Sequence, residues 1–342
     1  MNHRLALLIL APLLALLAAC GSAAPTAVPG AGFANALARA APFAVGVYGI
    51  ARNPAPAVAA NAPADSERGE PVLPYARIGA GFFIDNQGFI VTAAHVVADC
   101  DEVIIKLADQ RVIPATLVAL DADTDVAVLR IASASPVAPP LGRSTALRPG
   151  HGVRSVGEPY GLNGSVAAGI VGGTDRHFSD DPELLFLESD VALNPGNSGG
   201  PLLDTAGDIV GMNMRTVVSA YGTPGVSLSI PIEIVLAVAA ELRSGGRIVR
   251  PRLGAEFDEL SAHLALARGR TTTQGALITI VRRGSLAERM GLKVDDIVVA
   301  MNDRPVTSSA DLARSLLNWR QTRGTRVVVL RGEAVVSLAL NE

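Results

Sequence analysis

The sequence predicts a mainly β chain that ends in a smaller domain mixing strands and helices. Short β-branched runs separated by turn residues recur from residue 79 onward, with no long helices between them, which indicates a barrel or sandwich. The chain holds 34 glycines and 22 prolines but only 4% aromatic residues, a composition suited to short strands and turns. Near Pro251 the pattern shifts, and residues 251–342 alternate strand-like and helical stretches over a length sufficient for a small independent domain.

The N-terminal segment precedes any fold. Arg4 is followed by an apolar run from Leu5 to Ala19, the layout of a secretory signal and shorter than the ~20 residues of a spanning helix. Leu17-Ala18-Ala19-Cys20 resembles the bacterial lipoprotein box, in which the cysteine becomes the lipidated first residue. That resemblance implies a signal over residues 1–19 and a lipid on Cys20; an ordinary cleaved signal beside a coincidental cysteine is the alternative. Gly21 after the cysteine, rather than Asp, favours the outer membrane by the same resemblance. "GSAAPTAVPGAG" is small, Pro-containing and uncharged, so residues 20–32 read as a flexible tether.

The first domain is expected over residues 33–249. "FANALARAAP" opens it as an amphipathic piece, and "FAVGVYGIA" alternates like a strand. Residues 52–77 carry five prolines and no apolar periodicity, the pattern of a long surface loop. "IDNQGFI" has a hairpin turn between strands, and "EVIIKL", "RVIPATLVAL", "DVAVLRI", "GVRSVG", "DIVGMNM" and "GVSLSIP" follow as short strands. "IEIVLAVAAELRSGG" has apolar residues at helical spacing and glycines at its end, so a helix closes the domain. In the second domain, over residues 250–342, helices are expected at "LSAHLALARG" and "SADLARSLLNWR", and strands at "GALITIV", "DIVVAMN", "TRVVVLR" and "AVVSLAL".

Composition removes some functions. A net charge of −3 with scattered Lys and Arg argues against nucleic-acid binding, which needs a basic patch. With Cys20 lipidated, Cys100 has no intrachain partner, so no disulfide framework is expected. His151, His177 and His263 belong to no cluster at metal-ligand spacing, and neither a metal nor another cofactor is implied.

The residues that carry chemistry converge on "NPGNSGGP", residues 194–201. A serine hydroxyl needs a base to take its proton, and the base needs a group that fixes its tautomer. Ser198 in G-x-S-x-G fits the nucleophile elbow of α/β-hydrolases, but that fold requires the order Ser, Asp, His. Only His263 follows Ser198, in the other domain, and Pro201 follows where the elbow needs a helix. His95 in "IVTAAHVV", Asp125 in "DADTDVAVLRI" and Ser198 instead give the chymotrypsin order. Taken one by one, His95 could be a structural histidine and Asp125 a turn cap.

"TAAHVV", "DADTDVAVL" and "NPGNSGGPLLDTAGDIVGMN", followed by "GSLAERMGLKVDDIVVAMNDRPV", resemble the HtrA family of bacterial envelope serine proteases from about residue 33 to 340. The resemblance implies a chymotrypsin-like double six-stranded β-barrel, with the site in its cleft, and a C-terminal α+β PDZ domain. It implies His95 as base, Asp125 rather than Asp121 or Asp123 as its partner, and Ser198 as nucleophile. Gly196, Asn197 and Ser198 would form the oxyanion-hole segment, the N–H groups of Gly196 and Ser198 being the donors.

Further expectations follow from the same resemblance. The position six before the nucleophile is Ala192, so a primary pocket lined by Ala192, Leu193, Met212 and Leu228 lacks a countercharge and favours small or aliphatic residues. For Met212 and Leu228, ordinary barrel core is the alternative. Leu253, Gly254 and Ala255 in "RLGAEF" would capture a C-terminal carboxylate by their backbone N–H groups while the peptide adds as a strand. Arg176 falls near the family's regulatory-loop arginine, although the spacing to Ser198 is about one residue short; a solvated arginine is the alternative. The aromatics Phe33, Phe43 and Tyr48 lie where the family packs its homotrimer, or they seal the barrel base. The expected partners are unfolded or specific protein substrates, C-terminal peptides, and a membrane reached through the lipid, on the periplasmic side of a bacterial envelope. A quiescent chaperone or peptide-binding module of the same fold is the alternative function.

Overall fold

The computed structural model describes residues 31–52, 75–132, 137–158, 164–178, 184–218, 224–320 and 322–340. The signal, Cys20, the tether up to residue 30 and most of the proline-rich loop (residues 53–74) lie outside the described residues. Two closed six-stranded barrels are followed by an α+β sheet.

The first barrel contains β1 (Ala44–Ala51), β2 (Tyr75–Phe83), β3 (Phe89–Ala93), β4 (Glu102–Lys106), β5 (Val112–Asp121) and β6 (Val126–Arg130). It closes in the order β1-β2-β3-β6-β5-β4, so no sheet edge is left open. The period of two along β1 sends Val45 and Val47 into the core with Ile90, Ile105 and Leu129, while Gly46 and Tyr48 face outward. The second barrel contains β7 (Gly152–Gly157), β8 (Ser165–Arg176), β9 (Phe186–Ser189), β10 (Pro201–Leu203), β11 (Ile209–Val218) and β12 (Pro224–Pro231). It closes as β10-β11-β12-β9-β8-β7.

Helices complete this unit: α1 (Ala31–Ala40) at its start, the single turn α2 (Ala94–Val97), and α3 (Ile232–Gly245) at its end. Helix α3 buries Ile232, Val235, Val238, Ala239 and Leu242, the stripe expected of one helical face. That stripe packs against β5 and β6 of the first barrel and β11 and β12 of the second, joining both in one core with Phe82, Val128, Phe186 and Ile230. Each such fully buried side chain contributes roughly 1.5–3 kcal/mol. Gly246 ends the helix in the left-handed region (φ 68°), its N–H donating to Leu242 O.

The last unit orders its sheet as β13 (Ala255–Glu259), β14 (Ala276–Val281), β15 (Ile297–Met301), β17 (Arg326–Arg331) and β18 (Ala334–Ala339), with β16 (Arg304–Pro305) paired to β15. Helices α4 (Ala262–Ala267), α5 (Leu286–Met290) and α6 (Ser309–Leu317) begin at Ser261, Ser285 and Ser308, whose side chains accept the N–H three residues on. Trp319, the chain's single tryptophan, is buried in this unit's core and donates from Nε1 to Thr325 Oγ1 at 2.9 Å.

The linker fixes the last unit to the first barrel. Buried Arg250 donates to Asp121 Oδ2 at 2.6 Å, and Arg252 pairs with Asp123. Arg314 reaches Asp175 at 2.7 Å, and the His177 ring stacks on Phe257 with 4.5 Å between centroids. Phe43 lies in the first barrel's core and Tyr48 donates to Glu158, so both are engaged within the fold; the Phe33 side chain is outside the described residues.

Candidate active site

The site is built where the two barrels meet, and each barrel supplies one half. From the first, β3 runs into α2, whose second residue is His95. The turn after β5 places Asp125 in the left-handed region (φ 54°), which Asp tolerates better than most residues. Asp125 then holds α2 three times. Its carbonyl accepts from Ala94 N at 2.9 Å, Oδ1 accepts from His95 N at 2.9 Å, and Oδ2 lies 2.7 Å from His95 Nδ1. The last contact makes Nδ1 the protonated nitrogen of a neutral ring and leaves Nε2 as the acceptor. Asp125 is largely buried, whereas the His95 ring is 54% exposed toward the cleft.

The three acids of "DADTD" are separated by their partners. Asp121 takes Thr124 and Arg250, Asp123 takes Arg252, and Asp125 alone meets His95. Arg77 on β2 donates to His95 O at 2.9 Å and to Ala98 O at 2.6 Å, satisfying carbonyls at the end of α2.

From the second barrel comes the 194–200 loop. Pro195 and Gly196 occupy the centre of a turn closed by Asn197 N donating to Asn194 O at 2.9 Å. Gly196 has φ 104°, the pattern of a type II turn, which favours Pro then Gly at its centre. Asn197 N–H is therefore spent inside the turn, while the N–H groups of Gly196 and Ser198 meet no acceptor among the described residues. Ser198 is stitched to the first barrel, its carbonyl accepting from Ala80 N at 2.9 Å. Gly199 (φ 84°) has no room for a side chain: a Cβ would lie 2.4 Å from Ala80 O and 2.5 Å from Ala93 N. The Ser198 hydroxyl donates to Met214 O at 3.0 Å, and no hydrogen bond joins it to His95.

The comparisons with known proteins agree with this geometry. A trypsin-like peptidase domain model matches residues 79–212, and a PDZ domain model matches residues 251–341. A probable periplasmic serine endoprotease DegP-like of Ectopseudomonas mendocina (strain ymp) is 38% identical over 235 residues, 69% of this chain and 50% of that protein. The protein of the same description from Halomonas elongata is 39% identical over 254 residues, 74% of this chain and 54% of that protein. Among solved structures, the HtrA-type protease AlgW with tripeptide superposes with a TM-score of 0.71 at 29% identity, covering 90% of this chain and 95% of that one. AlgW with decapeptide gives 0.66 at 30% identity, covering 90% and 96%. This chain belongs to the HtrA-type protease family. It spans about half the length of the curated relatives it matches.

In this HtrA-type chain the residues expected to line the primary pocket divide. Ala192 is exposed, and Leu193 is half-buried with its carbonyl accepting from Thr216 Oγ1 at 3.3 Å. Met212 and Leu228 have no exposed surface and sit in the shared core with Phe186 and Ile230. Alternation along β12 turns Ser227 and Ser229 to the face opposite Leu228.

In the PDZ unit, Gly254 adopts φ 73°, and a Cβ there would lie 2.4 Å from Ser285 Cβ. The carbonyls of Leu253 and Gly254 accept from Ala287 N and Arg282 N, each at 2.8 Å. Their own N–H groups meet no acceptor among the described residues. Ala255 opens β13, which is the edge strand of the sheet and so has one side available for strand addition. Arg176 ends β8 and donates to Glu188 Oε2 at 2.5 Å, with no bond to the 194–198 loop. The sequence reading missed β8 and β9 as strands, the Met214 carbonyl under Ser198, and buried Glu158 beside the Gly196 turn.

Proposed function

We propose that this HtrA-type chain is an envelope serine endopeptidase working through an acyl-enzyme. The observation that carries the reading is the His95–Asp125 pair together with a loop in which the N–H groups of Gly196 and Ser198 meet no acceptor among the described residues. In this mechanism the Ser198 hydroxyl turns from Met214 O to His95 Nε2, exchanging one hydrogen bond worth about 1 kcal/mol for another. Ser198 Oγ attacks the peptide carbonyl as Nε2 takes its proton, and Asp125 holds the imidazolium that forms. The N–H groups of Gly196 and Ser198 receive the oxyanion; removing one such donor costs about 10²–10³ in turnover. His95 then protonates the leaving amine, and water completes hydrolysis by the reverse path.

The finer features belong to the same proposal. Cys20 carries the lipid that tethers the protein to the envelope, facing the periplasm. Ala192 supplies no charge to the pocket, so the residue before the cut is small or aliphatic. Unfolded or regulatory proteins are the substrates, and C-terminal peptides add to β13 with their carboxylates on the Leu253–Ala255 loop. The active assembly is a homotrimer, with Arg176 relaying PDZ occupancy to the oxyanion loop. One observation favours a second reading, a barrel that holds chains without cutting: the Ser198 hydroxyl is turned away from His95.

The deciding experiment incubates β-casein with the purified mature protein beside Ser198→Ala. Cleavage by the first and none by the second is expected. Equal residual cleavage by both overturns the protease reading.

A further inference from the structure

We propose that Glu158 is a positioning residue that locks the Pro195–Gly196 turn in its oxyanion-receiving form by anchoring it to the first barrel. The inference rests on the hydrolytic reading above. Strand β7 ends at Gly157, and the next N–H, that of Glu158, donates to Gly196 O at 3.2 Å. The bond from Asn197 N to Asn194 O closes the turn, and the Glu158 bond fixes the plane of its last peptide. The two segments also touch: a Cβ on Gly157 would lie 2.3 Å from Asn197 Oδ1 and 3.0 Å from its Cα.

What holds Glu158 in place is the opposite barrel. The Tyr48 hydroxyl donates to Oε2, and Lys106 Nζ lies 3.4 Å from Oε1. Register explains why these two converge. Gly46 on β1 stands directly opposite Lys106 on β4, and Tyr48 is two residues further along the same outward face. Gly46 is the seat of the carboxylate, because a Cβ there would lie 2.6 Å from Glu158 Cδ. Glu158 is only 7% exposed, and a carboxylate so placed is costly unless paired. A general stabilising contact could use apolar residues at lower desolvation cost. This one spans both barrels and joins the backbone of the Gly196 turn, a geometry that serves placement of the turn.

The test compares wild type, Glu158→Ala, Glu158→Gln and Tyr48→Phe for kcat and KM on fluorescein-labelled casein, with a crystal structure of each. Glu158→Ala keeps the backbone N–H but loses the anchor. Its kcat should fall about 10-fold or more with KM within about twofold, because the affected group acts on the oxyanion. Gly196 φ should leave the positive region in that variant. Glu158→Gln still accepts from Tyr48 and should restore most of kcat, which a purely structural role would not require. Should Glu158→Ala fail to fold, Tyr48→Phe is read by the same criteria. An anchor-less variant with unchanged kcat and positive Gly196 φ overturns the inference. Failure of the hydrolytic reading shows differently, as equal casein cleavage by wild type and Ser198→Ala, and Gly196 φ then still decides whether Glu158 holds the turn.

Discussion

Arg250 and Asp121 form the most deeply buried ion pair among the described residues. Their side chains are 1% and 6% exposed, and they meet at 2.6 Å. Asp121 Oδ2 accepts from both Arg250 and Thr124, yet Arg250 Nε and one terminal nitrogen have no partner among the described residues. Removing one member of a buried pair typically costs about 3–5 kcal/mol, since the other charge stays buried without compensation. Asp121→Leu should therefore destabilise the protein by about that amount. Each unpartnered buried donor already costs about 1–3 kcal/mol, so the intact pair recovers its desolvation poorly. The double variant Asp121→Leu/Arg250→Met should return to within about 1 kcal/mol of wild type, recovering roughly 3 kcal/mol of what the single variant loses. Urea unfolding followed by far-UV circular dichroism and by fluorescence measures this. Trp319 fluorescence reports the PDZ unit alone, while dichroism reports the whole, which keeps the two transitions apart. A single substitution costing under about 1 kcal/mol, or a double variant no better than the worse single, would refute the reasoning.

Two further outcomes are expected. Asp125→Asn should lower kcat on casein by about 10⁴ by disturbing the His95 tautomer, whereas Asp123→Asn, which pairs with Arg252, should stay within about threefold; equal losses would show that the acids are not separated by role. Burial, and then the Glu158 hydrogen bond, push the Tyr48 phenol above its ordinary 10.0. The protonated form is favoured by folding, so this contribution is complete below pH 10.0 and is lost as pH rises through the folded-state value. Absorbance at 295 nm should show the same ionised amplitude at pH 10 in wild type and Tyr48→Phe; a loss of about a quarter in the variant counts against a protected phenol.

What was legible in the sequence was what is local or ordered along the chain. The sequence His95, Asp125, Ser198 excluded an esterase elbow because chain order differs between the folds that use such residues. Helix α3 was legible because its apolar stripe and terminal glycine are continuous in sequence. Strand β9 was not, since four residues are too few to show alternation, and β8 was hidden by its glycines and register shifts. Met212 and Leu228 look alike as pocket or core from sequence; only the direction of each side chain in a closed barrel places them in the core. Tyr48, Lys106 and Glu158 lie on three strands or their ends far apart in the chain, so no window of sequence contains their meeting. The one local hint was an acid in the otherwise apolar "SVGEPYG".

The bond from Ala80 N to Ser198 O gives the cleft a property beyond chemistry. The base and its acid belong to the half of the chain made first, and the nucleophile to the half made last. Neither half alone contains the whole site, and the Ala80 stitch forms only when both barrels are folded and docked. The three candidate residues therefore come together only in the docked, compact state, after both barrels have been made.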